Sequence, residues 1–185
     1  MSFEQRGILP LDYRTSTLAG SPLRFRGPLE IEDGPTVLCL GGSETFGRFI
    51  QAPYPKQLLD HLKRPVINLG VVNGGLDVVM EDPAITAATR QADEIVLQIT
   101  GAHNMTNRLY SVHRRRNDRF LKASETLRTI YPDVDFTEFH FTRHLLSHLR
   151  DLSEDRFQII QAELKTAWVA RMRGFLDGLN KPGFS

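Results

Sequence analysis

The chain has 185 residues, and its composition of 41% hydrophobic and 24% charged residues is that of one folded globular domain, which excludes disordered and fibrous classes. Its 23 basic and 22 acidic residues give a net charge of +1, so it lacks the broad positive charge of nucleic-acid-binding domains. The single cysteine, Cys39, excludes an internal disulfide and a cysteine-based zinc site.

Residues 1–35 are predicted to form an arm that lies on the domain. Glycine and proline recur through this stretch, so regular structure there should be short. Glu4 and Asp12 interrupt the start of the chain, which lacks the apolar core of a signal peptide, and no stretch reaches the ~18 apolar residues of a membrane span. We therefore expect a cytoplasmic protein with no membrane partner.

Three short runs rich in apolar residues are predicted to form strands, at 36–41, 65–69 and 94–100, and the first two are predicted to be buried. Helices are predicted between them, at 53–62 and 82–91. Asp82 and Pro83 suit the N-cap and first turn of the second helix. This alternation predicts an α/β fold with parallel strands and right-handed crossovers, in a single domain over 36–179 with a tail at 180–185.

The chain after Gly101 is predicted to be mainly helical, because no apolar run there is as typical of a strand as the first three. The clearest helix spans 153–179, with Ser153 as its N-cap. Its apolar residues recur at steps of three and four, and we expect them to pack on the sheet as core and not to stack on a cofactor: Phe157, Ile160, Leu164, Trp168, Met172, Phe175 and Leu179.

Each predicted strand ends in a turn of glycine and small polar residues, at 41–47, 68–75 and 101–104. Ligands bind at the carboxyl ends of parallel strands, so these turns are expected to converge on a site. Ser43 is a candidate nucleophile, since glycines precede it and a helix is predicted after it. Asn104 and the N–H of Gly74 or Gly75 are candidate donors to an oxyanion.

The motifs LGGSETFG, INLGVVNGG and ITGAHN, in this order and after these strands, resemble the SGNH (GDSL-type) hydrolase superfamily over residues 36–104. The resemblance implies a flavodoxin-like three-layer sandwich around a parallel sheet. It also implies a serine ester hydrolase or acyltransferase, with Ser43 as nucleophile and Ser43, Gly74 and Asn104 as oxyanion donors. The expected substrate is an O-acylated polar molecule such as a carbohydrate. Further residues expected to contact the substrate are Gly42, Glu44, Thr45 and Asn73.

The chain is also similar, over nearly its whole length, to a bacterial family of uncharacterised proteins that share GGSETFG, RRNDRF and DFTEFHFTRHLL. It departs from the SGNH pattern, because GGSET replaces GDS and no histidine has an acid three residues before it. Three alternatives follow: the sequence is a piece of a longer protein, the base comes from elsewhere in the chain, or there is no hydrolysis. Because the resemblance implies a further strand, an uncovered sheet edge could make the protein a homo-oligomer.

Two histidines are candidate bases. His103 lies beside Asn104 in the third turn, although a histidine held by the backbone is an equal alternative. His140 and His144 are four residues apart, which on a helix places both on one face, although a surface or capping role is the commoner one. The same spacing suits metal ligands, but no third ligand is specified, so no metal site is predicted.

The basic run Arg114, Arg115 and Arg116 follows the third turn. It is interpreted either as arginines spread around a helix in solvent or as a group that binds a carboxylate, sulfate or phosphate of the substrate. No nucleotide-phosphate motif of the GxxxxGK[ST] or GxGxxG type occurs, so no cofactor is predicted, and the run lacks the aromatic residues of nucleic-acid binding. The alternative function is a non-catalytic domain that binds an anion or a carbohydrate.

Overall fold

The computed structural model describes residues 14–29 and 35–179, so the rest of the predicted arm and the tail at 180–185 lie outside the described residues. The strands are β1 (Thr15–Ser16), β2 (Phe25–Arg26), β3 (Val37–Gly41), β4 (Val66–Gly70), β5 (Glu94–Leu97), β6 (Tyr110–His113) and β7 (Arg116–Ala123). The helices are α1 (Ser43–Phe46), α2 (Tyr54–Leu62), α3 (Leu76–Glu81), α4 (Pro83–Gln91), α5 (Glu125–Ile130), α6 (Thr142–Leu152) and α7 (Glu154–Leu179), with a 3-10 turn at Phe136–Glu138.

The three predicted strands form one parallel sheet in the order β4-β3-β5, which confirms the expected α/β class and the parallel pairing. The central strand β3 is buried at every residue, as its uninterrupted apolar run predicts. Gly41 pairs with Gly70, and Leu40 pairs with Leu97. The carboxyl ends of the three strands therefore lie along one edge of the sheet.

The predicted helices of the first half are confirmed within a residue or two at α2 and α4. Asp82 caps α4, because its carboxylate accepts the N–H groups of Ala84 and Ile85, each at 3.0 Å. The short helix α3 was not predicted, since its six residues directly follow the glycine turn and give too short a period to recognise.

Helices make up most of the chain after Gly101, as predicted, but β6 and β7 also pair there as an antiparallel hairpin that was not predicted. Most of β7 is charged or polar, and only every third residue of it is buried: Asn117, Phe120 and Ala123. The pairing is irregular between Ser111 and His113, so the period-two pattern that identifies a strand is lost. Arg114 and Arg115 form the turn of this hairpin and Arg116 begins β7, so the helical interpretation of these arginines is wrong.

Two apolar clusters make up the core, one around the parallel sheet and one beneath the β6–β7 hairpin. Leu23 and Phe25, from the predicted arm, are buried in the sheet cluster. The long helix α7 joins the two clusters, since Phe157 packs in the hairpin cluster and Phe175 in the sheet cluster. The apolar stripe of α7 therefore lies on the sheet only in its C-terminal half, and half-buried Trp168 donates from its indole N–H to the Thr100 carbonyl at 3.0 Å between the two.

Within residues 14–29 and 35–179, no helix has the length and apolar character needed to cross a membrane.

Candidate functional site

The three predicted turns pack against one another at the carboxyl edge of the sheet. A Cβ added at Gly42 would lie 2.8 Å from the Gly74 carbonyl oxygen, so the first turn touches the second. A Cβ added at Gly75 would lie 2.4 Å from the Asn104 carbonyl oxygen, so the second turn touches the third. Only glycine permits backbones to approach this closely, and the predicted convergence of the turns is confirmed.

Gln98, the first residue after β5, holds the turn that carries Ser43. Its side-chain oxygen accepts hydrogen bonds from the Gly42 N–H at 2.9 Å, the Thr45 N–H at 3.3 Å and the Thr45 hydroxyl at 2.7 Å. Its side-chain nitrogen donates to the Glu44 carboxylate at 2.8 Å. Gln98 was not predicted as a site residue, because it was interpreted as one more residue of the third strand and no neighbouring residue indicates a polar role.

Ser43 begins α1 and is half-buried. Its Oγ accepts the Asn73 backbone N–H at 2.9 Å and lies 3.4 Å from the Asn73 side-chain oxygen, to which it donates. Asn73 adopts a left-handed backbone conformation, with φ of 58°, which turns its N–H toward Ser43. Since α1 has only four residues, its helix dipole is small, and a negative charge bound beside Ser43 would be stabilised by single N–H groups.

One of the predicted oxyanion donors already makes a hydrogen bond within the protein, and the other two make none with the described residues. The Gly74 N–H donates to the Val71 carbonyl at 2.9 Å and closes the second turn, so it is not available to a ligand in this structure. The Ser43 N–H has no acceptor among the described residues. The Asn104 side-chain oxygen accepts the Thr142 hydroxyl at 2.9 Å, and this contact leaves the amide nitrogen of Asn104 without a partner among the residues described.

Glu44 and Thr45 contribute to the site in different ways. Glu44 is exposed and is held by Gln98, so its carboxylate borders the site. Thr45 is fully buried, and its hydroxyl donates to the Gln98 side-chain oxygen at 2.7 Å. In this structure Thr45 therefore positions the turn.

His103 is half-buried in the third turn, and its ring packs on Gly101, where an added Cβ would lie 2.5 Å from the His103 Cε1 atom. Burial lowers the pKa of His103, and the positive charge of Arg143 lowers it further. The imidazole is therefore neutral at pH 7 and able to accept a proton. No hydrogen bond joins the His103 ring to Ser43 in the described part of the chain.

The expectation that His140 and His144 share a helical face is wrong, because His140 precedes α6 and is exposed. Its backbone carbonyl accepts the Phe120 N–H at 3.1 Å. The histidines that do share a face of α6 are His144 and His148, and both rings lie against Phe139, with centroids 5.0 and 5.2 Å apart. Since His103 lies in the third turn and His140 lies on the exposed segment before α6, His103 is the better placed of the two candidate bases.

The β6–β7 hairpin contributes residues that the sequence analysis did not select. The Asn117 side chain is completely buried and accepts the Gly75 N–H at 2.8 Å. The Asn117 N–H donates to the Asn73 carbonyl at 2.9 Å, so the hairpin is attached directly to the second turn. The three arginines selected instead lie at the hairpin turn, exposed; Arg114 pairs with Glu81 at 3.0 Å.

Cys39 offers no alternative nucleophile at this end of the sheet. It is buried in β3, and burial raises the pKa of its thiol to about 11, so the thiol is protonated at pH 7. Among the described residues, no three His, Cys, Asp or Glu side chains are close enough together to hold a metal ion.

A cavity of about 1040 Å³ lies between α2 and the β1–β2 hairpin, and of the three turns only Asn68, at the start of the second, lines it. Arg14, Arg26 and Lys63 are among its lining residues, and none of the predicted site residues lines it. The candidate site is therefore identified by the chemistry of its side chains and not by cavity size.

Comparison with known proteins gives one family match. Neither the curated proteins nor the solved structures include a significant match to this chain. The family described as "Domain of unknown function (DUF6473)" matches residues 1–184, which is nearly the whole length of the chain. The chain therefore belongs to the DUF6473 family.

Proposed function

We propose that this protein is an SGNH-type serine ester hydrolase or acyltransferase that acts on an O-acylated polar substrate. The observation that carries the proposal is the position of Ser43 at the junction of three packed glycine turns, on the carboxyl edge of a parallel sheet. A half-buried hydroxyl there is open to a substrate and lies close to backbone N–H groups.

The strand order supports a flavodoxin-like, SGNH-like architecture. In chain order the strands of the parallel sheet are arranged 2-1-3, which is the beginning of the flavodoxin-like order 2-1-3-4-5. In such sheets ligands bind outside the carboxyl ends of the first and third strands, where the chain changes direction. Ser43 follows the first of these strands and Asn104 follows the third.

In the proposed reaction the Ser43 oxygen forms a bond to the acyl carbon, and the Ser43 N–H and the Asn104 side-chain nitrogen stabilise the oxyanion. Each such donor is typically worth ~3–4 kcal/mol in the transition state. His103 takes the Ser43 hydroxyl proton and passes it to the oxygen of the leaving alcohol. The bond between this oxygen and the acyl carbon then breaks, which leaves the acyl group on Ser43. Water or an acceptor hydroxyl then attacks the acyl carbon, and the bond from this carbon to the Ser43 oxygen breaks. His103 carries the proton of the attacking hydroxyl to the Ser43 oxygen. Catalytic hydrogen bonds are often long without substrate, so His103 is expected to approach Ser43 only when the site is occupied.

The test is a serine-directed fluorophosphonate together with turnover of an O-acetylated sugar. We expect mass spectrometry to find the phosphonate on Ser43, and acetate release to disappear in Ser43→Ala. Ser147→Ala is the matched control, because Ser147 lies on α6, outside the three turns. Equal labelling of the wild-type chain and of Ser43→Ala would remove the nucleophile assignment.

A second candidate function is a non-catalytic domain that binds a carbohydrate or an anion. It is favoured by the hydrogen bonds of Ser43, whose hydroxyl is held by the Asn73 backbone and side chain and not by a base. Sugar binding without acetate release would select this candidate.

A further inference from the structure

The cavity of about 1040 Å³ between α2 and the β1–β2 hairpin has a positively charged lining. Its basic lining residues are Arg14, Arg26, Lys56, Lys63 and Arg64, and no Asp or Glu is among the described residues that line it. The whole chain is nearly neutral, with 23 basic and 22 acidic residues, so this positive charge is a local concentration. A cavity lined by charge of one sign attracts ligands of the opposite sign.

Three of these five cations already have partners within the protein. Lys56 pairs with Asp60 at 2.9 Å, and Arg64 pairs with Glu94 at 2.6 Å. Arg26 donates to backbone carbonyl groups of the segment between α1 and α2. These contacts hold the walls of the cavity and give the three side chains a structural role.

Arg14 and Lys63 are the two lining cations whose side chains make no hydrogen bond or ion pair within residues 14–29 and 35–179. Both are exposed, so a molecule in the cavity can reach them. The Arg14 carbonyl accepts the Gly27 N–H at 2.8 Å, and the Lys63 N–H donates to the Leu59 carbonyl at 3.1 Å at the end of α2. The two cations are therefore fixed on the two elements that enclose the cavity, one on each.

The rest of the lining includes a group of apolar side chains. They are Pro28, Pro53, Pro55, Leu59, Pro65 and Val66. Small-molecule sites commonly have volumes of ~300–1,000 Å³ and combine an apolar wall with a few charged or polar groups. The size and the lining of this cavity match such a site for a ligand that has both an anionic and an apolar part.

We propose that this cavity binds a phosphate monoester with an apolar group, whose negative charge is compensated by Arg14 and Lys63. A phosphate monoester carries about two negative charges at pH 7, which matches two cations without partners. Arginine binds phosphate oxygens through its planar fork, and lysine does so as a point charge. The same chemistry occurs in a nucleoside monophosphate and in a phosphatidic acid. This site is separate from Ser43 and does not depend on the proposed hydrolase activity.

The test is calorimetric titration of the full chain, at low salt and in a buffer without phosphate, with phenyl phosphate, phenyl sulfate and inorganic phosphate. We expect phenyl phosphate to bind at one site per chain. Phenyl sulfate has the same ring and a single negative charge, so it should bind roughly 10-fold more weakly. Inorganic phosphate lacks the apolar part and should also bind more weakly. Adenosine monophosphate and dihexanoyl phosphatidate are titrated in parallel, and binding of either one at least as tight as that of phenyl phosphate supports the proposal and identifies the source of the ligand.

The variants Arg14→Gln and Lys63→Gln each remove one charge from an exposed side chain. Each should weaken phenyl phosphate binding roughly 10-fold and reduce its dependence on salt. The matched controls are Arg173→Gln and Lys165→Gln, which change exposed residues of α7 that do not line the cavity and have no ion pair among the described residues. Both controls should bind phenyl phosphate like the wild type.

The proposal is overturned if phenyl phosphate, adenosine monophosphate and dihexanoyl phosphatidate all fail to bind, or if phenyl sulfate binds as tightly as phenyl phosphate. Unchanged binding in folded Arg14→Gln and Lys63→Gln would also overturn it. Ser43→Ala should bind phenyl phosphate like the wild type, and a loss of binding in this variant would place the anion at the glycine turns and contradict a separate site. The comparison of phenyl phosphate with phenyl sulfate uses the wild-type chain alone, so the test does not depend on the folding of any variant.

Discussion

Replacing Gln98 with leucine should destabilise the whole turn that carries Ser43. Gln98 is the acceptor for the Gly42 N–H and for the N–H and hydroxyl of Thr45. Leucine is similar in size and has no acceptor, so Gln98→Leu removes all of these bonds while keeping the volume of the side chain. The Thr45 hydroxyl retains a contact to the Tyr54 hydroxyl at 3.2 Å, but the two N–H groups lose their acceptor.

The expected loss follows from these two N–H groups. Each buried donor left without an acceptor costs ~1–3 kcal/mol, and because Gln98 is half-buried we place the total at ~2–4 kcal/mol. A domain of this size is stable by ~5–15 kcal/mol, so the variant should fold. With a urea m-value of ~2 kcal/mol/M, the unfolding midpoint should fall by ~1–2 M.

The assay is urea unfolding of the full chain followed by circular dichroism, with Gln161→Leu as the control. Gln161 is exposed on α7 and makes no side-chain hydrogen bond in the described structure, so its replacement should change stability by less than ~0.5 kcal/mol. A loss for Gln98→Leu no larger than that of the control would show that Gln98 does not hold the Ser43 turn.

Four further outcomes are expected. Gly75→Ala should cost ~1–3 kcal/mol of unfolding free energy, since its Cβ would lie 2.4 Å from the Asn104 carbonyl oxygen; urea unfolding checks this, and an unchanged midpoint would contradict the packing of the second turn on the third. The Arg108 hydrogen bond holds the pKa of Glu163 below its ordinary 4.5, so the stability from this pair is fully present above pH 4.5 and is lost as the pH falls through the lowered pKa. Acid unfolding should therefore be shallower in Glu163→Gln than in the wild type, and parallel curves would refute the assignment. Because burial lowers the pKa of His103, its NMR titration should have a midpoint below 6.5, and any esterase rate that uses it as base should rise with pH through that midpoint; a titration at or above 6.5 would contradict this. Among the described residues no base lies within hydrogen-bonding distance of the Ser43 hydroxyl, and p-nitrophenyl acetate lacks the sugar that is proposed to bring His103 to Ser43, so its turnover should be far below ordinary enzyme rates; a rate of 10 per second or more abolished by Ser43→Ala would show that a base reaches Ser43 without a bound sugar.

The parallel sheet could be predicted from local patterns because apolar residues dominate each of its strands and glycine turns follow them. Val37 to Leu40 form an uninterrupted apolar run, and such runs occur where a strand is covered on both faces. The hairpin could not be predicted in the same way. The second strand of the hairpin has the sequence RNDRFLKA, which is mostly polar. Which of its residues are buried depends on its irregular pairing with β6 and on the contact of Asn117 with a distant turn.

The sequence by itself determined that three glycine turns would meet at one sheet edge with Ser43 on the first of them, because parallel strands place their carboxyl ends together and only glycine fits the resulting backbone contacts. Only the tertiary structure decided which side chains serve that edge. Gln98 and Asn117 carry no local signal, since each acquires its role from a partner brought near by folding: the Ser43 turn 53–56 residues earlier for Gln98, and Gly75 for Asn117. Hydrogen bonds between residues this far apart depend on the packing of the whole chain, and a local sequence pattern records only the first few neighbours of each residue.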